Sequence, residues 1–107
     1  MNKKVFGVNK IKALLEEHSR RAFSLGLVWG TSGNMSMRAD AGSFFITATG
    51  KGLGDITRRD LVRCRIEQDF REKKASMEWG LHRGIYLNRS DAYSVFHSQP
   101  PYSTLIA

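Results

Sequence analysis

Between residues 76 and 99 the sequence SMEWGLHRGIYLNRSDAYSVFHSQ brings a carboxylate, Glu78, and an imidazole, His97, close to the ends of two regular elements. Either group can hold or move a proton. The spacing predicts a helix over 76–88 that carries Glu78 in its first turn, where the helix dipole favours a carboxylate. An alternating pattern over 92–97 predicts a strand with His97 at its carboxyl end, followed by Gln99 and the break Pro100-Pro101. Open α/β sheets hold their ligands at such strand ends. His82, four residues after Glu78 on the same helical face, could ligate a metal but is expected instead to pack or to support Glu78. Trp79, Tyr86 and Tyr93 read as packing residues.

Two glycine-rich loops could supply the rest of a site. A short apolar strand over 27–29 is expected to open into Gly30-Thr31-Ser32-Gly33-Asn34, with a second strand over 35–38. Such a loop can turn several backbone N–H groups towards an anion, although the same composition also makes an ordinary turn. A turn over 39–42 and a β-rich strand over 43–47 lead to Thr47-Ala48-Thr49-Gly50-Lys51-Gly52. Hydroxyls and glycines again leave a strand end, now beside a lysine. Lys51 does not complete a P-loop, because the glycine spacing ahead of Gly-Lys-Ser/Thr is absent.

The scaffold reads as follows. Asn9 has the character of an N-cap, and Ile11, Leu14, Leu15, His18, Ala22 and Leu25 share one helical face before Gly26 stops the helix. His18 at the edge of that stripe is expected to pack. Thr57 and Asp60 form a capping pattern for a one-turn helix. Residues 61–67 alternate as a strand with one wet face, Cys64 being a small core residue, and 68–74 form a charged loop.

At 107 residues the chain reads as a single domain, residues 1–107. Residues 100–107 look like the opening of a further apolar element, so the sequence is expected to stop inside its domain. An isolated chain of this length is then expected to be inactive or poorly folded. Lysine and arginine number 17 against 10 aspartates and glutamates, a net charge of +7. Much of that excess lies in 51–74, where it can form a solvated face or steer an anionic substrate. No aromatics are interleaved at stacking spacing and no helix-turn-helix or zinc-finger pattern occurs, so no nucleic-acid partner is expected. One cysteine allows no disulfide framework. The first ten residues lack the apolar run of a signal peptide and no stretch reaches membrane-spanning length, which points to a cytoplasmic protein with no membrane partner.

Four motifs together resemble the class II aldolase/adducin family: Gly30-Thr31-Ser32-Gly33-Asn34-Met35-Ser36; Ile46-Thr47-Ala48-Thr49-Gly50-Lys51; Ser76-Met77-Glu78-Trp79 through Leu81-His82 to Ile85-Tyr86; and Arg89-Ser90-Asp91-Ala92 to Val95-Phe96-His97. They stand in the family's order, close to its spacings, over about residues 9 to 107, the amino-terminal half of the family domain. The resemblance implies a three-layer α/β/α fold with a central, mainly antiparallel sheet, incomplete here at the carboxyl end. It also implies a divalent-metal-dependent aldolase, zinc being the usual ion. The reaction would be retro-aldol cleavage of a sugar phosphate through a metal-stabilised enediolate, in a homo-oligomer, usually a tetramer. Residue by residue, Glu78 matches the general acid/base, and Gly33, Asn34, Thr49, Gly50 and Ser76 match the phosphate pocket. His97 matches the first metal-binding histidine. Two positions depart from the pattern. Gln99 stands where the second histidine is expected and offers zinc a harder, weaker donor. Met77 replaces the second of two serines, which costs the pocket a hydroxyl. The departure at Gln99 also leaves open a non-catalytic, adducin-like binding or assembly module, and a sugar-phosphate epimerase remains an alternative within the family.

Overall fold

Helix α1 spans Val8–Ser24. Ile11, Leu15, Ser19 and Ala22 recur at helical spacing and are buried along one face. The hydrogen-bond ladder starts with Ile11 N–H donating to Gly7 O, so Gly7 is the N-cap and Asn9 lies inside the first turn. Leu14 is half-buried, while His18 and Leu25 are exposed. Gly26 does end the helix: with φ at 76° it closes a Schellman turn, in which Leu27 N–H donates to Ala22 O and Gly26 N–H to Phe23 O. That turn overrides the strand expected over 27–29. Leu27 has given its N–H to the helix end and faces solvent with Trp29, and only Val28 turns into the core.

The computed structural model describes residues 6–98. Four strands follow α1: β1 (Asn34–Asp40), β2 (Ser43–Thr47), β3 (Leu61–Arg65) and β4 (Ser94–His97). They form one sheet in the order β3-β2-β1-β4, every neighbouring pair antiparallel. Helix α2 (Trp79–Asn88) precedes β4. All five residues of β2 are buried, because its alternate side chains enter two different cores. Phe45 joins Ile11, Leu15, Ala22, Met35 and Ala39 under α1. Phe44 and Ile46 join Cys64 and Tyr86 under α2. Helix, sheet and helix therefore make the expected three layers.

Elements differ from expectation mainly at their ends. Strand β3 stops at Arg65, short of residue 67, and β4 begins at Ser94, two residues later than expected. Thr57 and Asp60 do form a capping box: Thr57 N–H and Thr57 Oγ1 both donate to Asp60 Oδ2, at 2.9 and 3.0 Å. Helix α2 begins at Trp79, not near residue 76, because the Ser76 hydroxyl accepts the Glu78 N–H at 3.1 Å and closes a separate turn. Glu78 is consequently the N-cap residue and not part of the first turn. Cys64 is buried, its thiol pushed up to about 12 by burial and then by Glu72. Tyr86 is buried and packs against Phe44 with ring centroids 4.9 Å apart; Trp79 is half-buried, and the Tyr93 ring is exposed.

Arg38 ties the second layer to the sheet. Buried on β1, it donates from Nε to Ala92 O at 2.8 Å and from one terminal nitrogen to Tyr86 O and Arg89 O, each at 3.1 Å. Tyr86 O and Arg89 O lie at the end of α2, where the helix dipole favours a cation. The guanidinium also stacks over the Tyr86 ring.

Candidate active site

The antiparallel sheet gathers one end of every strand at the same edge. The start of β1, the end of β2 and the end of β4 border a cleft of about 360 Å³. Its walls include Gly33 and Asn34 from the first loop, Thr49, Gly50 and Lys51 from the second, Ser76 and Glu78 from the approach to α2, and His97. Every site residue named from the sequence that falls within residues 6–98 is on this wall; Gln99 lies outside the described residues. The open α/β rule puts ligands at carboxyl ends, whereas here two strands arrive by their carboxyl ends and β1 by its amino end.

Glycine brings the two loops together. Gly33 has φ at 86°, and a Cβ there would lie 2.5 Å from Val28 Cγ1. A Cβ on Gly52 would collide with the Gly30 carbonyl oxygen, so the loops touch backbone to backbone where only glycine fits. The second loop is tethered further by Thr49 N–H donating to Lys74 O and Ser76 N–H donating to Thr47 O. Lys51, exposed at the rim, lies 3.6 Å from Asp60, whose carboxyl is held low first by the Thr57 N–H.

The polar groups around the cleft are differently committed. Ser32 folds its hydroxyl back onto Trp29 O at 2.6 Å. Ser76 accepts the Glu78 N–H through Oγ, which leaves its own proton for the cleft. Glu78 is exposed at the lip. His82 is fully buried behind the wall, with Nε2 at 2.5 Å from Asn34 Oδ1 and Nδ1 at 2.6 Å from Ser36 Oγ. Its side chain thus supports Asn34, not Glu78. Burial, and then the charge of His97, push this imidazole down to about 4, so it is neutral at pH 7.

Residues 13–107 match the profile of the class II aldolase and adducin N-terminal domain. The chain belongs to that family. A 5-methylthioribulose-1-phosphate/5-deoxyribulose-1-phosphate aldolase of Rhodospirillum rubrum is 37% identical over 94 residues, covering 87% of this chain and 42% of that protein. A methylthioribulose-1-phosphate dehydratase of Microcystis aeruginosa is 33% identical over 94 residues, covering 83% of this chain and 46% of that one. Among solved structures, an L-fuculose-1-phosphate aldolase of Thermus thermophilus superposes with a TM-score of 0.77 at 30% identity, over 92% of this chain and 50% of the other. The chain spans about half the length of these relatives.

Membership of the class II aldolase/adducin family raises the question of a metal. Among the described residues no three His, Cys, Asp or Glu side chains converge to enclose an ion. His97 is the one imidazole on the cleft wall, and its Nδ1 is buried without a hydrogen-bond partner. An orphaned imidazole nitrogen suits a cation, but a catalytic zinc takes about three protein ligands. The described residues therefore fit such an ion in part, with one ligand.

The sequence motifs missed the interior of the site. Ser36 and Tyr86 sit within the quoted motifs, yet nothing in their spacing says that both reach His82; only the fold joins them. Ser98, directly after β4, is a wall residue that no motif named. Among the described residues no helix is long and apolar enough to cross a membrane.

Proposed function

We propose that this chain contributes the phosphate-binding and proton-transferring half of a lyase acting on a sugar phosphate, with retro-aldol cleavage of a ketose 1-phosphate as its reaction. The observation that carries this reading is the single cleft in which both glycine loops, Ser76, Glu78 and His97 meet. Gly33, Asn34, Thr49, Gly50 and Ser76 hold the phosphate with backbone and side-chain donors, and its binding orients the reacting carbons. Met77 brings no hydroxyl to this cradle, so Ser76 acts there without a second serine. As the bond beside the ketone breaks, its electron pair stays on the carbon next to the carbonyl. Glu78 moves one proton, from the hydroxyl that becomes the aldehyde to that carbon. A divalent metal, zinc in the simplest case, supplies Lewis acidity towards the substrate carbonyl when bound. His97 would hold it, with Gln99 as a weak second ligand and a further group from outside the described residues. A homo-oligomer in the cytoplasm belongs to the same reading, and light scattering tests its assembly.

A second reading, loss of water from the same class of substrate, is supported by the Microcystis relative, which is named a dehydratase. Incubation of the protein with ketose 1-phosphates separates the two. Cleavage gives dihydroxyacetone phosphate and an aldehyde, and dehydration gives one product lighter by water. Either turnover should stop with a chelator and fall at least about a hundredfold in Glu78→Gln. Absence of both products, with metal still bound, would leave the adducin-like binding module.

A further inference from the structure

His82 has no surface in the cleft, yet both of its ring nitrogens are engaged. Nε2 meets Asn34 Oδ1 and Nδ1 meets Ser36 Oγ, which is also 2.8 Å from the Tyr86 hydroxyl. A neutral imidazole has one donor and one acceptor, so with Ser36 both donating and accepting the chain of bonds can run in two directions; were Ser36 to accept from both Nδ1–H and Tyr86, its own proton would lack an acceptor. In the first, Tyr86 donates to Ser36, Ser36 donates to Nδ1, and Nε2–H donates to Asn34 Oδ1. Each of those protons then has an acceptor. In the second, the Asn34 amide donates to Nε2, Nδ1–H donates to Ser36, and Ser36 donates to Tyr86. The phenolic proton is then stranded, because Ser36 is its hydrogen-bond partner among the described residues and the ring is buried. A buried donor without a partner is the costlier arrangement. The direction is therefore set at Tyr86, on the far side of the relay from the cleft.

We infer that His82 is a positioning residue: by holding Asn34 Oδ1 inward, it turns the Asn34 N–H2 group to the cleft and makes that wall a donor for an anionic oxygen. Two observations support this beyond the relay. Asn34 lines the cleft although its side chain is nearly enclosed. Among the described residues the one buried side-chain nitrogen or oxygen without a partner is His97 Nδ1, so the Asn34 amide nitrogen is not sealed in. An asparagine free to flip would present its oxygen half the time and repel the anion. The inference rests on the sugar-phosphate reading for the identity of the anion, not for the direction of the relay.

The test uses ring-nitrogen NMR of the protein at pH 7, with the His82 signals assigned by their loss in His82→Gln. The expected ring carries its proton on Nε2 and none on Nδ1. A proton on Nδ1, or on both nitrogens, would overturn the inference. Inorganic phosphate is then titrated while the side-chain amide protons of Asn34 are followed. They should shift on binding, and phosphate that binds without moving them would also overturn it. Tyr86→Phe keeps the ring against Phe44 and removes the proton that sets the direction. Phosphate affinity should then fall about fivefold, the worth of one ordinary hydrogen bond, with the fold intact by circular dichroism; unchanged affinity would count against the relay. Failure here is distinguishable from failure of the proposed reaction. An Nε2–H ring and shifted Asn34 protons without turnover of any sugar phosphate would sink the lyase and leave the relay. Turnover with an Nδ1–H ring would do the reverse.

Discussion

The two faces of the sheet are filled with different material. Under α1, Ile11, Leu15 and Ala22 meet Met35, Ala39 and Phe45; the one buried hydroxyl of the helix, Ser19, lies 3.9 Å from the Met35 sulfur, and Thr47 on β2 accepts the Met35 N–H. Under α2, by contrast, Ser36, Arg38 and His82 are buried beside Phe44, Ile46 and Tyr86, and their polar atoms are paired. Both faces are buried, but only the second carries a relay of side-chain hydrogen bonds that ends at the cleft. An apolar layer can fix where a strand lies; a paired polar layer also fixes which atom of a wall residue faces a ligand.

That contrast can be broken by variants on opposite sides. The largest effect is expected from Leu15→Ala under α1, a loss of about 2–5 kcal/mol of folding stability, as for fully buried leucines in general. Denaturant unfolding measures it. Phosphate affinity of the folded fraction should not change, and a drop in that affinity would mean that the apolar face also shapes the cleft.

Acid should act on the other face. The His82 pKa is depressed in the folded state, so the unfolded chain binds more protons between about pH 4 and the ordinary value of 6.5. Stability from this group is therefore complete above about pH 6.5 and is lost as pH falls towards 4, by on the order of 3 kcal/mol. Unfolding curves at a series of pH values, repeated on His82→Gln, isolate this slope; an equal slope in the variant would assign it to other groups. Gly52→Ala comes next. The new methyl meets the Gly30 carbonyl, so a cost of about 1–3 kcal/mol is expected, together with weaker phosphate binding as the loops part. Thr57→Ala, away from both faces, provides the baseline. It removes one hydrogen bond of the capping box and should cost about 1 kcal/mol with no effect on phosphate.

Local patterns were legible in the sequence where one interaction dominates. Strand β2, the stop at Gly26 and the Thr57–Asp60 box all come out where the residues say. Around 27–29 an apolar triplet was ambiguous, since the same residues serve a strand or the exit from a helix, and the Schellman bonds decide for the exit. The start of α2 moved because a serine that looks like a helix cap caps a turn instead. The motif resemblance named the cleft wall, and the fold brings those residues together. What lies behind the wall was not legible. Four-residue spacing points His82 at Glu78, yet its side-chain partner is on a strand 48 positions away, and local periodicity carries no information at that range.

Arg38 grips α2 at its carboxyl end, while the carboxylate of Glu78 stands at the other. A ten-residue helix is a rod roughly 15 Å long. With its tail pinned, a tilt of about 4° swings the tip by about 1 Å, a displacement large enough to spoil proton transfer. Aim at the mouth of the cleft is thus set from both ends of the helix, by the Arg38 pivot at its tail and by Ser76, itself tied to Thr47, at its head.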